Sequence, residues 1–526
     1  MRKVFWLLLV GISFQAWAQN PVAEKYGKLL TPQNAEKHLA ILASDEFEGR
    51  ETGTRGAEMA ANYIAGEFKK LNLQAPVNDS YFQNVGLIET DFKVEQFQLN
   101  GKPFENFKQF YIAKSASNRK IKAKEIVFAG YGISTNTYDD LKGIDITGKV
   151  VLVISKGEPF KNGISLISKT SNPSEWSQQS DKRFENLRAK SPALILAIDP
   201  DFTQEILVSR GHRHTTVMSL KKENSVSAEA DIIELTVETA NNFFKAFGPQ
   251  TFQDLRAVIN KTGMPASRTF KAGLEISYAN KVKDVKGVNV MGFLEGSDLK
   301  SELLVISAHY DHVGLNPDGP DKVFNGADDD GSGTTAVLEL ARVLAQAKRE
   351  GNGPRRSVLF LAVVGEEKGL LGSEWYSRHP VFPLKNTVAN LNIDMIGRVD
   401  PAHKDNPEYC YLIGSDKLST QLHTISENAN ATYTKLNIDY KFNNPNDPER
   451  IYYRSDHYNF AKHGIPVIFY FNGVHEDYHK ESDEISKINF PLLVKRAQLV
   501  FYTAWDIVNR DNRPLVDVTN DMPQSR

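Results

Sequence analysis

Cysteine is almost absent. Cys410 is the only one among 526 residues, so no disulfide can form within the chain. It sits in Tyr409-Cys410-Tyr411-Leu412-Ile413, a strand-like run where a small buried hydrophobe is expected rather than a nucleophile. An excess of one charge is also lacking, since 63 Lys and Arg face 65 Asp and Glu. Near-neutrality removes any global reason to expect nucleic acid or an anionic membrane as a partner. Beyond the first residues no stretch is apolar enough to span a bilayer. No P-loop, dinucleotide fingerprint, nucleophile-elbow pentapeptide or internal repeat occurs.

What is present begins with Arg2 and Lys3, followed by the apolar run from Val4 to Ile12 and by Ala16-Trp17-Ala18. This order reads as a secretory signal peptide over 1–18. It implies export to the periplasm or the exterior, with a soluble product and no cysteine near the cleavage site for a lipid anchor. Hydrophobic residues make up 41% of the chain, enough for the cores of two or three domains.

Thr31-Pro32 has the form of an N-cap followed by proline at the first helical position. Met59, Tyr63, Ile64, Phe68 and Leu71 mark a second helix by their spacing. Two helices do not make a domain, so 19–115 requires a partner later in the chain. From 116 to 270 short strand-like runs appear (Ile126 to Ala129, Val150 to Ile154, Leu194 to Ile198, Ile232 to Val237), separated by polar stretches such as Lys169 to Lys182. This predicts a separate β-rich module. Over 271–512 strands and helices alternate, which predicts an α/β domain on a largely parallel sheet. Residues 513–526 read as a tail.

In such sheets ligands bind beyond the carboxyl ends of strands, and the chemically unusual residues fall there. The predicted strand 303–307 leads to His309, Asp311 and His312. Asn325 to Gly333 carries Asp328-Asp329-Asp330 and opens a helix. The strand 358–364 leads to Glu366-Glu367, 388–393 to Asp394, and 466–471 to the loop holding His475, Glu476, Asp477 and His479. Carboxylates gathered at strand ends repel one another, and cations compensate them. Mixed His and carboxylate donors suit zinc. Two zinc ions share a carboxylate, lower the pKa of a bridging water and polarise a carbonyl. A neighbouring carboxylate that binds no metal then takes the water's proton, so Glu366 and Glu367 are expected to divide the roles of base and ligand. His475-Glu476-Asp477-Tyr478-His479 also matches the H-E-x-x-H pattern of single-zinc proteases, which needs both histidines on one helix face. Asn472-Gly473 before it, and no apolar stripe around it, predict a loop instead.

With these motifs in order, the chain resembles the co-catalytic di-zinc aminopeptidases of secreted bacterial type, relatives of glutamate carboxypeptidase and the transferrin receptor. The motifs that carry the resemblance are His309-Tyr310-Asp311, Gly326 to Gly333, Gly365-Glu366-Glu367, Asn392-Ile393-Asp394-Met395, Arg454-Ser455-Asp456-His457 and Tyr478-His479. The resemblance implies a three-layer α/β/α sandwich with a mixed, largely parallel sheet, and two zinc ions per chain. Asp329 would bridge them, with His309 and Asp394 on one and Glu367 and His479 on the other. Glu366 would be the general base and Asp311 would orient His309. Tyr478 and Arg454 would contact substrate, with Asp456 in support. The implied substrates are peptides with a free N-terminus. Gly130-Tyr131-Gly132-Ile133 and Gly148 to Val153 resemble an inserted protease-associated domain, which would split the peptidase domain. The run His479-Lys480-Glu481-Ser482-Asp483 departs from the His-Thr-Pro-x-Asp of many relatives. Carboxypeptidase or glutaminyl cyclase chemistry on the same fold, a single-zinc protease using His475, Glu476 and His479, and a non-catalytic binding protein remain as alternatives.

Overall fold

The computed structural model describes residues 19–523 apart from 113–114, 116–117, 179, 204, 207–215, 222–229 and 249. The expected export segment 1–18 lies outside the described residues. The chain divides into two compact units, one formed by 1–87 and 285–526 and the other by Ile88–Asp284.

The larger unit is built on eight strands: β1 (Phe82–Asn84), β2 (Val288–Leu294), β3 (Leu299–His309), β4 (Arg356–Val363), β5 (Thr387–Ile393), β6 (Tyr409–Ile413), β7 (Asn437–Asp439) and β8 (Val467–Phe471). Their order across the sheet is β1-β2-β4-β3-β5-β8-β6-β7. The four central strands β4, β3, β5 and β8 run parallel. β2 joins β4, and β6 joins β8, in antiparallel pairing. The sheet is therefore mixed and largely parallel.

Every residue of β4, β5 and β8 is buried, as expected of parallel strands covered on both faces. On one face lie α1 (Pro32–Leu42), α2 (Arg55–Lys70), α3 (Gly333–Arg349) and α4 (Phe490–Asn509). Phe68 of α2 meets Phe360 of β4 there, with ring centroids 6.3 Å apart. The other face packs Leu303, Val305, Leu359 and Leu361 against Tyr376 and Phe460, which belong to two shorter helices. Thr31 caps α1 as its sequence suggests, its side chain accepting from the Asn34 amide, and Pro32 stands at the first turn.

The second unit holds a mixed sheet in which Arg119–Phe128, Val150–Ile154, Leu194–Ile198 and Ile232–Leu235 run parallel in that order. Arg268–Val285 pairs antiparallel to Arg119–Phe128. Its core gathers Phe92, Phe97, Phe110, Ile126, Leu152, Leu196 and Phe243. The run expected as one strand from Ile232 to Val237 breaks at Thr236, whose hydroxyl caps the helix Val237–Phe247 by accepting from the Thr239 amide at 3.1 Å. A capping threonine satisfies amides that a continued strand would not.

Candidate metal centre

The carboxyl ends of three parallel strands meet at the site. β3 ends on His309, β5 ends just before Asp394, and β4 leads through Val364 and Gly365 to Glu366 and Glu367. Asp329 arrives from the turn 327–332 that precedes α3. His309 Nε2 lies 3.3 Å from Asp329 Oδ1 and 3.6 Å from Asp394 Oδ1. On the other side of Asp329, His479 Nε2 lies 3.0 Å from Asp329 Oδ2 and 3.1 Å from Glu367 Oε2. The five expected ligands therefore face one another in two sets that share Asp329. Two groups, His309-Asp329-Asp394 and His312-Asp329-Glu367, keep their donor atoms within 4.8 Å of one another. His312 was not among the expected donors; its only sequence signal is being the second histidine of His309-Tyr310-Asp311-His312.

The turn is held by main-chain hydrogen bonds to buried carboxylates. Asp483 Oδ2 accepts from the amides of Asp328 at 3.0 Å and Asp329 at 3.1 Å. Asp330 Oδ1 accepts from Gly333 and Met395, and Asp328 Oδ1 accepts from Gly397. The peptide between Asp329 and Asp330 is cis. Of the acidic triplet, only Asp329 stands in the donor groups; its neighbours build the turn.

Asp311 supports the site differently from the expectation. His309 Nδ1 donates to the main-chain oxygen of Asp311 at 3.0 Å, whereas the nearest Asp311 carboxylate oxygen is 3.8 Å away. That carboxylate instead accepts from Thr52 Oγ1 at 2.8 Å and from the Glu366 amide at 3.2 Å. A backbone carbonyl fixes a ligand's tautomer as well as a carboxylate does, and Asp311 thereby holds the start of the Glu366-Glu367 turn.

The H-E-x-x-H residues form no helix. Residues 472–480 are loop and turn, and the two histidines point to different partners. His475 Nε2 lies 3.2 Å from Asp328 Oδ2, while His479 faces Asp329 and Glu367.

Charge in the site follows from burial. Desolvation, then the charges of Glu367, Asp394 and Asp456, push Glu366 well above the ordinary carboxylate range, against the pull of His309. Burial also raises Asp394. Burial and Asp329 act to raise Glu367, but His312 and His479 bring it down to about 2. Burial works against a charged His479, yet Asp329 and Glu367 carry it up to about 10. Several buried atoms nevertheless lack any hydrogen-bond partner: Asp329 Oδ2, Glu367 Oε1 and both ring nitrogens of His312. Lone pairs that converge at short range without hydrogen bonding fit a cation between them. The nitrogen and carboxylate donor set suits zinc.

Tyr478 and Arg454 stand together at the mouth, Arg454 Nη2 donating to the Tyr478 hydroxyl at 3.2 Å. They border a small cavity reaching Glu366, whose apolar lining includes Met395, Ile451 and Phe469. A second cavity of about 390 Å³ opens between Glu366 and Tyr453. Asp456 is buried beside the site, accepts from Ser373 Oγ, and is raised to about 7 chiefly by desolvation.

Comparison with known proteins finds relatives in sequence and in fold. The aminopeptidase YwaD of Bacillus subtilis is 27% identical over 271 residues, covering 48% of this chain and 54% of that protein. A probable leucine aminopeptidase of Arthroderma otae is 31% identical over 215 residues, covering 40% and 55%. The chain thus spans about half the length of the curated relatives it matches. An aminopeptidase from Aneurinibacillus sp. strain AM-1 shares the fold with a TM-score of 0.51 at 18% identity, over 96% of this chain and 100% of that one. Residues 289–504 match the profile of peptidase family M28, and this segment carries every expected ligand and the base candidate.

Proposed function

We propose that the protein is an exported aminopeptidase that holds two zinc ions and cleaves the N-terminal peptide bond. The observation that carries the reading is the convergence on Asp329 of His309 and Asp394 from one side and Glu367 and His479 from the other, with Glu366 alongside. Zinc ions bound there would supply Lewis acidity toward a carbonyl and toward a water molecule.

The remaining work falls to the chain. Glu366 Oε2 is 3.9 Å from His309 Nε2, close to the metal donors and outside both donor groups. That position suits a base that takes a proton from water and passes it to the departing amine. Arg454 and Tyr478 present donors at the cavity mouth, where they can hold the scissile carbonyl. Met395, Ile451 and Phe469 offer an apolar wall to the first side chain of the substrate. The compact unit 88–284 is read as an insert of protease-associated type. Cleavage after Ala18 on export to the periplasm or exterior is part of the same proposal, and N-terminal sequencing of the mature protein reads it.

The deciding experiment is Glu366→Gln. Turnover of aminoacyl substrates should fall by at least about 10²-fold, while bound zinc stays near two per chain. Free and N-acetylated peptides should be compared in parallel. Activity retained in Glu366→Gln, or equal hydrolysis of acetylated peptides, defeats the proposal.

A further inference from the structure

His312 is fully buried, and its main-chain amide donates to Arg50 O at 3.3 Å. The backbone has been shaped around its ring. Gly326 adopts φ +55, and a Cβ there would lie 2.5 Å from His312 ring carbons. A buried imidazole normally finds a partner for each nitrogen, yet here neither ring nitrogen makes a hydrogen bond. Nδ1 faces the site, 3.0 Å from Glu367 Oε1 and 3.8 Å from Asp329 Oδ2. Those two oxygens are also without hydrogen bonds. The edge of a tetrahedron around zinc with bonds of ~2.0–2.1 Å is about 3.3 Å, a length the two separations bracket. The Glu367 carboxylate lies between two imidazoles, with His312 at Oε1 and His479 at Oε2. The rings are 5.7 Å apart and nearly perpendicular.

We infer that His312 is a fourth protein donor to the ion held by Asp329, Glu367 and His479, so that the His309–Asp394 side keeps the open position. The inference rests on the two-zinc reading above. It makes the two ions unequal. One is enclosed by four protein donors, as structural zinc sites are. The other, with three, resembles a site that leaves a place for water or substrate.

The test uses the full chain loaded with zinc. X-ray absorption at the zinc edge counts imidazoles, and three shared by two ions are expected in the wild type rather than two. In His312→Gln the count should drop by one. Release of zinc into a chromogenic chelator should be biphasic in the wild type. The slow phase should speed up by at least about tenfold in the variant, with the fast phase unchanged. Two imidazoles in the wild type, or an unchanged count in His312→Gln, overturns the inference, even if release quickens because Glu367 has lost a neighbour. The wild-type count stands if the variant does not fold. A wild-type zinc content below two per chain would sink the two-zinc reading instead, and the imidazoles around the remaining ion would still decide the role of His312.

Discussion

Arg50 holds the site from below without touching a ligand side chain. It is 1% exposed, and its guanidinium donates to four main-chain carbonyls: Tyr310 at 2.9 Å, Leu42 at 2.5 Å, Asn325 at 2.7 Å and Gly326 at 2.8 Å. It thereby ties the end of α1 to the chain just after His309 and to the entry of the Asp329 turn. Its charge also faces Asp483, Asp329, Asp330 and Asp311. Nothing in the run Phe47-Glu48-Gly49-Arg50 signals this, because three of the four carbonyls lie some 260 to 276 positions away. Arg50→Met would leave four acceptors buried, each costing about 1–3 kcal/mol if unpaired. We expect a loss of at least about 3 kcal/mol in a urea melt and weaker zinc retention at fixed chelator. Arg50→Lys should recover little, since a point ammonium cannot span four carbonyls. A variant as stable as wild type would refute the account.

The elements themselves show where sequence reading works. Strands buried on both faces announce themselves as apolar runs, so Val288 to Leu294 was legible to the residue, and β4 lies within two residues of the run Val358 to Val364. The candidate ligands His309, Glu367 and Asp394 are legible because they stand at or just past the ends of such runs, where the fold class puts a site. The second unit was harder to bound. Its texture marks 116–270, while the compact unit spans 88–284. The flanking strands Leu87–Leu99 and Arg268–Val285 alternate buried with half-exposed and exposed residues, and such strands carry Lys, Glu and Gln that blur the signal. His312 was missed for another reason: its role depends on which way a ring points. The short helix His457–Ala461 supplies a prediction at this scale. His457 is wholly buried against Phe469, and desolvation lowers it to about 3. Its unfolded value is near 6.5, so this stabilisation is complete above pH 6.5 and lost as pH falls toward 3. Each unit below 6.5 costs about 1.4 kcal/mol. His457→Phe should therefore gain about 2 kcal/mol relative to wild type between pH 7 and pH 5, read from urea midpoints. A pH-independent difference would show that His457 titrates in the folded protein as it does in the unfolded chain, and would overturn the account.

At the scale of the whole molecule, the proposed metal ligands all belong to one of the two units. His309, Asp329, Glu367, Asp394 and His479 lie in the unit formed by 1–87 and 285–526, with His309, Glu367 and Asp394 at or just past the ends of buried strands. Removing cations from such a cluster leaves buried carboxylates facing one another, a cost that falls on the turns bearing them. The sheet beneath keeps its own packing. The second unit has a separate core around Phe97, Leu152, Leu196 and Phe243 and shares none of that cost. Chelation should therefore act selectively when followed by hydrogen exchange and mass spectrometry. Exchange should rise in 309–332, 365–370, 394–398 and 475–483. It should stay the same in Val150–Ile154 and Leu194–Ile198, which pair with each other in the middle of the second sheet. If protection in those two strands fell together with that of the candidate ligand turns, the units would unfold as one, and the metal centre would govern the stability of the whole chain rather than of the unit that bears it.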